Sequence, residues 1–258
     1  MIMDIPENRF KQRLKAGEAQ TGLWCSLSSA YATEAVASAG FDWLMFDTEH
    51  SPADLETTLG LLQVAAGYDV SALVRPAIND SVLIKRFLDI GAQTLLIPQV
   101  QSAAEAEAAV RAMRYPPHGI RGVSGLTRAT RFGRVRDYAV QAERELCLLV
   151  QVETRAALDA LDEIATVDGV DGVFIGPADL AASFGHVGQP SHPEVVEALV
   201  RAIERLVSLG VPAGLLSGDP AVVRRCVDAG STFTATGVDA GLLARGADAL
   251  AAAAPRRA

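Results

Sequence analysis

The segments Cys147-Leu148-Leu149-Val150-Gln151-Val152-Glu153 and Gly172-Val173-Phe174-Ile175-Gly176-Pro177-Ala178-Asp179 decide the reading of this chain. Each is a short apolar run that ends in polar or turn residues and leads into helical spacing, the pattern of a strand buried on both faces in a parallel sheet. Working outward, similar runs at 21–26, 43–47, 71–75 and 94–98 precede them, and runs at 211–216 and 232–237 follow. Helix starts fall near Thr33, Asp54, Asp80, Ser102, Thr154, Asp179, Pro220 and Asp239. Ala39-Gly40, Ile90-Gly91, Leu209-Gly210 and Ala229-Gly230 supply glycine helix ends before the next strand. Eight such units predict an α/β fold, one (β/α)8 TIM barrel over residues 1–258 with a short N-terminal extension.

Half of the 258 residues are hydrophobic but only 5% are aromatic, so the core must come mainly from Ala, Val, Leu and Ile. The net charge of −8 opposes a nucleic-acid partner and favours small molecules. Cys25, Cys147 and Cys226 are odd in number and sit in apolar runs, which predicts reduced thiols and a cytoplasmic location. The first 17 residues lack the apolar stretch of a signal peptide, and no run is long enough to span a membrane. The alanine-rich C-terminus ending in Pro255, Arg256 and Arg257 reads as a fraying helix end. The longest irregular stretch, 115–135, carries Arg121, Arg128, Arg131 and Arg134, and is expected to cover the catalytic face or meet another subunit.

A barrel gathers its active site from the C-terminal ends of its strands. Those ends offer Asp47, Glu49 and His50, then Arg75, Gln99, Gln151, Glu153 and Asp179. Asp179 alone suits a helix cap equally well. Paired with Glu153 on the adjacent strand it suggests a divalent cation, because neighbouring carboxylates repel unless a cation or a shared proton intervenes. Oxygen donors favour Mg2+ or Mn2+, and such an ion would polarise the keto group of a 2-oxo acid. Arg75 could stabilise the developing oxyanion, or it could simply pair with Asp47 or Glu49. His50 suits general acid/base work, with Asp89 as a possible partner. Lys11, Lys15 and Lys85 all lie outside the strands, which disfavours a Schiff-base mechanism.

The motifs Phe46-Asp47-Thr48-Glu49-His50-Ser51-Pro52, Val74-Arg75-Pro76, Val150-Gln151-Val152-Glu153-Thr154 and Val173 to Leu180 resemble those of the HpcH/HpaI family of class II pyruvate aldolases. The likeness extends over nearly the whole chain and includes a resemblance to the 4-hydroxy-2-oxoheptanedioate aldolases. It implies Glu153 and Asp179 as ligands of Mg2+, Mn2+, Co2+ or another transition metal, Arg75 as enolate support, and His50 with Asp89 as proton handlers. It further implies that N–H groups around Ala178 and Asp179 receive the pyruvate carboxylate and that Gln151 and Trp24 line its pocket. Leu216 and the long loop would flank an aldehyde such as succinate semialdehyde, with Arg121 and Arg128 drawing a distal carboxylate. The resemblance also implies a homo-oligomer, a hexamer, in which the last βα unit is exchanged and Val238 reaches another subunit's site. The competing readings are an acyl-CoA lyase, which a lysine-poor surface disfavours, and a noncatalytic oxo-acid-binding barrel.

Overall fold

The computed structural model describes residues 2–255. Its parallel strands close into a barrel: β1 Gln20–Cys25, β2 Trp43–Asp47, β3 Ser71–Arg75, β4 Thr94–Ile97, β5 Cys147–Val152, β6 Gly172–Ile175, β7 Ala213–Leu216 and β8 Phe233–Val238. The helices are α1 Arg9–Lys15, α2 Ala30–Ala37, α3 Leu55–Ala65, α4 Ser81–Asp89, α5 Ala103–Met113, α6 Tyr138–Glu145, α7 Arg155–Asp159, α8 Leu161–Ala165, α9 Pro177–Ser183, α10 Pro193–Ser208, α11 Pro220–Asp228 and α12 Asp239–Ala253. The (β/α)8 expectation holds. Arg256 and Arg257, part of the tail read as a fraying end, lie outside the described residues.

Local chemistry explains the boundaries. The side chains of Asp54, Asp80, Ser102 and Thr154 accept N–H bonds at the starts of α3, α4, α5 and α7. Gly91 and Gly230 end helices with φ of 94° and 107°, a conformation costly to residues with a Cβ. Along α10, Val195, Val196, Leu199, Ala202, Ile203 and Leu206 form one buried stripe at helical spacing. Sequence periodicity places the helix after β6 near Asp179, but α9 there is short and α10 is the helix that covers the sheet.

The barrel interior is filled by Trp24, Trp43, Met45, Leu73, Leu96, Cys147, Leu149, Phe174 and Phe233. The N-terminal extension closes its lower end, with Phe10 of α1 meeting Trp43 and Phe233 edge-on at 6.2 and 6.0 Å. Gly22 lets this happen, since a Cβ there would lie 2.2 Å from the Trp43 ring. All three cysteines are buried and free. No helix among the described residues is long and apolar enough to cross a membrane.

Two placements bear on the sequence reading. Helix α5 runs away from the strand ends, so the loop 114–137 emerges at the opposite end of the barrel rather than over the catalytic face. There Val135 bridges to Met3, and Arg128 donates to the Ile90 carbonyl at 2.8 Å. Strand β8, in the unit expected to be exchanged, pairs with both β7 and β1 of its own chain, so one chain closes the barrel by itself.

Replacing Phe10, fully buried, by Ala should leave a cavity under the barrel and cost about 3–5 kcal/mol. Urea unfolding would read this as a lower midpoint, and an unchanged midpoint would mean that the extension does not hold the barrel's floor.

Candidate active site

Side chains alternate along β5, so Leu149, Gln151 and Glu153 share the inward face. Leu149 packs in the interior, and the two polar residues above it reach the mouth. Glu153 is only 1% exposed. One carboxylate oxygen accepts the Gln99 N–H at 3.0 Å, and the other accepts the Gln151 side-chain amide. Gln99 adopts φ 53°, a left-handed turn directly after β4 that carries this N–H. Across the gap, Gly176 leaves the space that Glu153 fills, because a Cβ there would sit 2.4 Å from the carboxylate.

Gly176 is also the cap residue of α9, Pro177 takes its first turn, and no side-chain cap bond forms. The capping alternative for Asp179 is therefore removed. Burial pushes the Glu153 carboxyl up to about 7; the Gln151 hydrogen bond works against this and the nearby charge of Asp179 adds to it.

Arg75 ends β3 nearly buried. Its Nε and Nη2 donate to the two Asp47 oxygens at 2.8 and 2.7 Å, and its Nη1 lies 2.8 Å from Glu49. Its guanidinium also lies over the Trp24 ring, 4.9 Å from the centroid. Burial opposes ionisation of Asp47, but the bonds and charge of Arg75 outweigh it and hold that carboxyl below its ordinary range. Burial raises Glu49, against the pull of Arg75. His50 stands largely in solvent, its Nε2 3.8 Å from Glu49.

Leu216 and Val238 pack against Trp24 and the interior cluster, and Val238 stands in register with Trp24. Val238 thus stands beside Trp24 at this chain's own mouth. Ala178, in the first turn of α9, is exposed.

Asp89 and Arg121 are not in this mouth. Asp89 is the last residue of α4 and therefore lies at the opposite end of the barrel, where its carboxylate accepts from Arg121 at 2.8 Å. Arg121 is buried there beside the rings of Tyr115 and Tyr138. A His50–Asp89 pair does not form within one chain, and neither Arg121 nor Arg128 flanks this mouth.

Asp47 and Glu49, legible in the sequence as alternative partners for Arg75, both pair with it, whereas nothing local marks Gln99 for its bond to Glu153. Asp239 reads in the sequence only as a helix start. That carboxylate accepts the N–H groups of Ser26 and Leu27 at 2.8 and 3.2 Å, fixing the loop after β1. No local signal announces a contact between residues 213 apart.

Asp47, Glu49, Glu153 and Asp179 thus share the mouth with one buried guanidinium, and Gln151 Oε1 is buried without a hydrogen-bond partner. An oxygen-rich, negatively charged site of this kind suits a hard dication.

A (β/α)8 barrel with this mouth defines an enzyme for small oxygen-bearing substrates. The chain belongs to the HpcH/HpaI aldolase/citrate lyase family, which matches residues 20–246. It is 66% identical to a pyruvate aldolase of Rhizobium etli, covering 97% of this chain and 98% of that one. It is 56% identical to a hydroxypyruvate/pyruvate aldolase of Sagittula stellata, over 93% and 95% of the two chains. A 4-hydroxy-2-oxo-heptane-1,7-dioate aldolase of Klebsiella pneumoniae is 55% identical, over 95% and 93%. Among solved structures, a family member from Burkholderia cenocepacia superposes with a TM-score of 0.91 at 39% identity, over 95% and 98%.

The buried Glu153 makes a pH prediction for the metal-free protein. Its carboxyl binds a proton more tightly folded, at about 7, than unfolded, near 4.5, so its contribution is favourable at low pH and lost as pH rises through about 7. Glu153→Gln lacks this slope, and should gain on the parent by about 3 kcal/mol between about pH 5 and about pH 8. Parallel urea midpoints for the two proteins over that range would contradict it.

Proposed function

We propose that this chain is a divalent-metal-dependent aldolase, which reversibly cleaves 4-hydroxy-2-oxo acids to pyruvate or hydroxypyruvate and an aldehyde. The observation that carries the reading is the buried Glu153 beside Asp179, with Arg75 at the same mouth. Glu153 and Asp179 would hold Mg2+, Mn2+, Co2+ or a similar ion, which when bound supplies Lewis acidity toward the 2-oxo acid.

The chain's own groups account for the rest. A guanidinium has five N–H donors. Three nitrogen contacts tie Arg75 to Asp47 and Glu49, which leaves N–H groups to meet charge gathering on the 2-oxo oxygen as the C3–C4 bond breaks. The N–H groups of Ala178 and Asp179, in the first turn of α9, have no partner within the helix and can receive the substrate carboxylate. Trp24 and Gln151 line the acid's pocket, and Leu216 and Val238, packed against Trp24, form an apolar wall where the aldehyde leaves. His50, in contact with solvent, takes the 4-hydroxyl proton and returns one to C3.

A homo-oligomer, hexameric by family likeness, belongs to this reading. Helix α12 exposes Leu242, Leu243 and Leu250 in the isolated chain. Asp89 and Arg121, at the far end of their own barrel, could serve only a neighbouring copy's mouth. Three buried free thiols fit a reducing compartment such as the cytoplasm.

Pyruvate release from a 4-hydroxy-2-oxo acid tests the reading. Chelator should abolish it and Mn2+ or Mg2+ restore it, while undiminished turnover in chelator would sink the metal role. Arg75→Met should lower kcat by about 10²–10³. His50→Ala should slow exchange of the pyruvate methyl protons by about 10²–10⁴, and unchanged exchange would pass the proton transfer to water. Pairing each donor with aldehydes including succinate semialdehyde would establish the acceptor.

A further inference from the structure

Away from the mouth, the connection from α9 to α10 brings together His186, His192 and Glu194, with one donor atom from each lying within 4.8 Å of the others. We propose that these residues form a second metal site, selective for borderline transition dications such as Zn2+, Ni2+ or Co2+.

The backbone holds the cluster in place. The His186 N–H donates to Ala181 at 2.8 Å, the Gln189 N–H to His186 at 3.0 Å, and the His192 N–H to Gln189 at 2.9 Å. Gly185 and Gly188 take the left-handed turns this path requires, with φ of 87° and 75°. Much of the entropy of gathering the ligands is thus lost on folding, before any ion arrives.

The donor set determines the ion. Two imidazoles and one carboxylate match Zn2+, Ni2+ and Co2+, whereas Mg2+ prefers oxygen alone. That separates this cluster from the all-oxygen Glu153 and Asp179 pair. Three protein ligands leave a coordination position for water.

The metal-free geometry shows what an ion must displace. The two rings stack at 3.5 Å with planes 18° apart, so a ring must turn before both nitrogens can address one ion. His186 Nε2 is 2.9 Å from Glu194, and His192 Nδ1 accepts the Glu194 N–H at 3.2 Å as the cap of α10. Coordination through His192 Nε2 puts the proton on Nδ1 and gives up that cap bond. The Glu194 carboxylate, now shared with Arg155 at 3.5 Å, offsets the positive charge brought to the start of α10. These costs make the site weaker than a closed four-ligand zinc centre. Occupied, it would tie the end of α9 to the start of α10, and α9 carries Asp179 in its first turn.

The full chain carrying Glu153→Gln and Asp179→Asn isolates this cluster from the mouth. Calorimetric titration with Zn2+ should then show about one ion per chain, and Mg2+ should show none. Adding His192→Asn, whose amide oxygen can still cap α10, should weaken Zn2+ at least about tenfold, with circular dichroism reporting an unchanged fold. His186→Gln should do the same. Absence of Zn2+ binding in the isolating background, or binding unaltered by His192→Asn, would overturn the proposal.

Discussion

The Glu153 carboxylate lies in the mouth of a barrel whose lower end is shut by Phe10 and whose interior is filled by Leu149 and Phe174, so water has little access from beneath. One backbone N–H and one neutral amide hold it, and no side-chain cation among the described residues pairs with it. Neutral donors of that kind do not offset the loss of water around a full negative charge, and the raised proton affinity of Glu153 is the result. Much of the mouth is arranged around this one group. Gly176 keeps the opposing strand end clear, the left-handed turn at Gln99 carries its N–H donor, and Asp179 adds a second charge instead of cancelling the first.

A few ångströms along the rim the same problem has the opposite solution. Asp47 and Glu49 are as firmly placed as Glu153, yet both face the Arg75 guanidinium, and Asp47 stays readily ionised as a consequence. The two halves of the mouth therefore do different work. One is a settled ion cluster braced by the Trp24 ring, able to present a fixed positive edge without rearrangement. The other is a pair of acids whose charge no neighbouring cation offsets, the half to which the proposed reading assigns a dication. Preorganised charge beside uncompensated charge is a combination that the proposed reaction, which gathers electrons on a keto oxygen, would use.

What the sequence revealed follows from the range of the interactions involved. Buried strands such as Cys147–Val152 are written in consecutive apolar residues, and caps such as Asp80 and Ser102 act within three positions, so both could be read directly. Strand-end acids could be collected because alternation along β5 puts Gln151 and Glu153 on one face. The 115–135 loop was misplaced because its end of the barrel depends on whether it follows a strand or a helix. It follows α5, and the short helix α6 after it escaped notice. Asp89 is parted from the His50 of its own chain for the same reason: nine residues of α4 carry it down the side of the barrel, about 13 Å from the face that holds His50. The contact of Asp239 with Ser26, which closes the ring of loops, has no local signature.

The last βα unit shows how the two halves of one unit can differ. Strand β8 is tied along both edges, to β7 and to β1, so its backbone groups are paired in the dry interior. Helix α12 has no such tie. Beyond Asp239 it buries none of its residues fully against its own chain, and its leucines face outward. Covering even one of them fully is worth about 1.5–3 kcal/mol, a gain that the isolated chain cannot make. Within this unit the apolar surface open to association therefore lies in the helix, while the strand holds Val238 beside Trp24. A second copy that covers α12 can stabilise an assembly without disturbing the site.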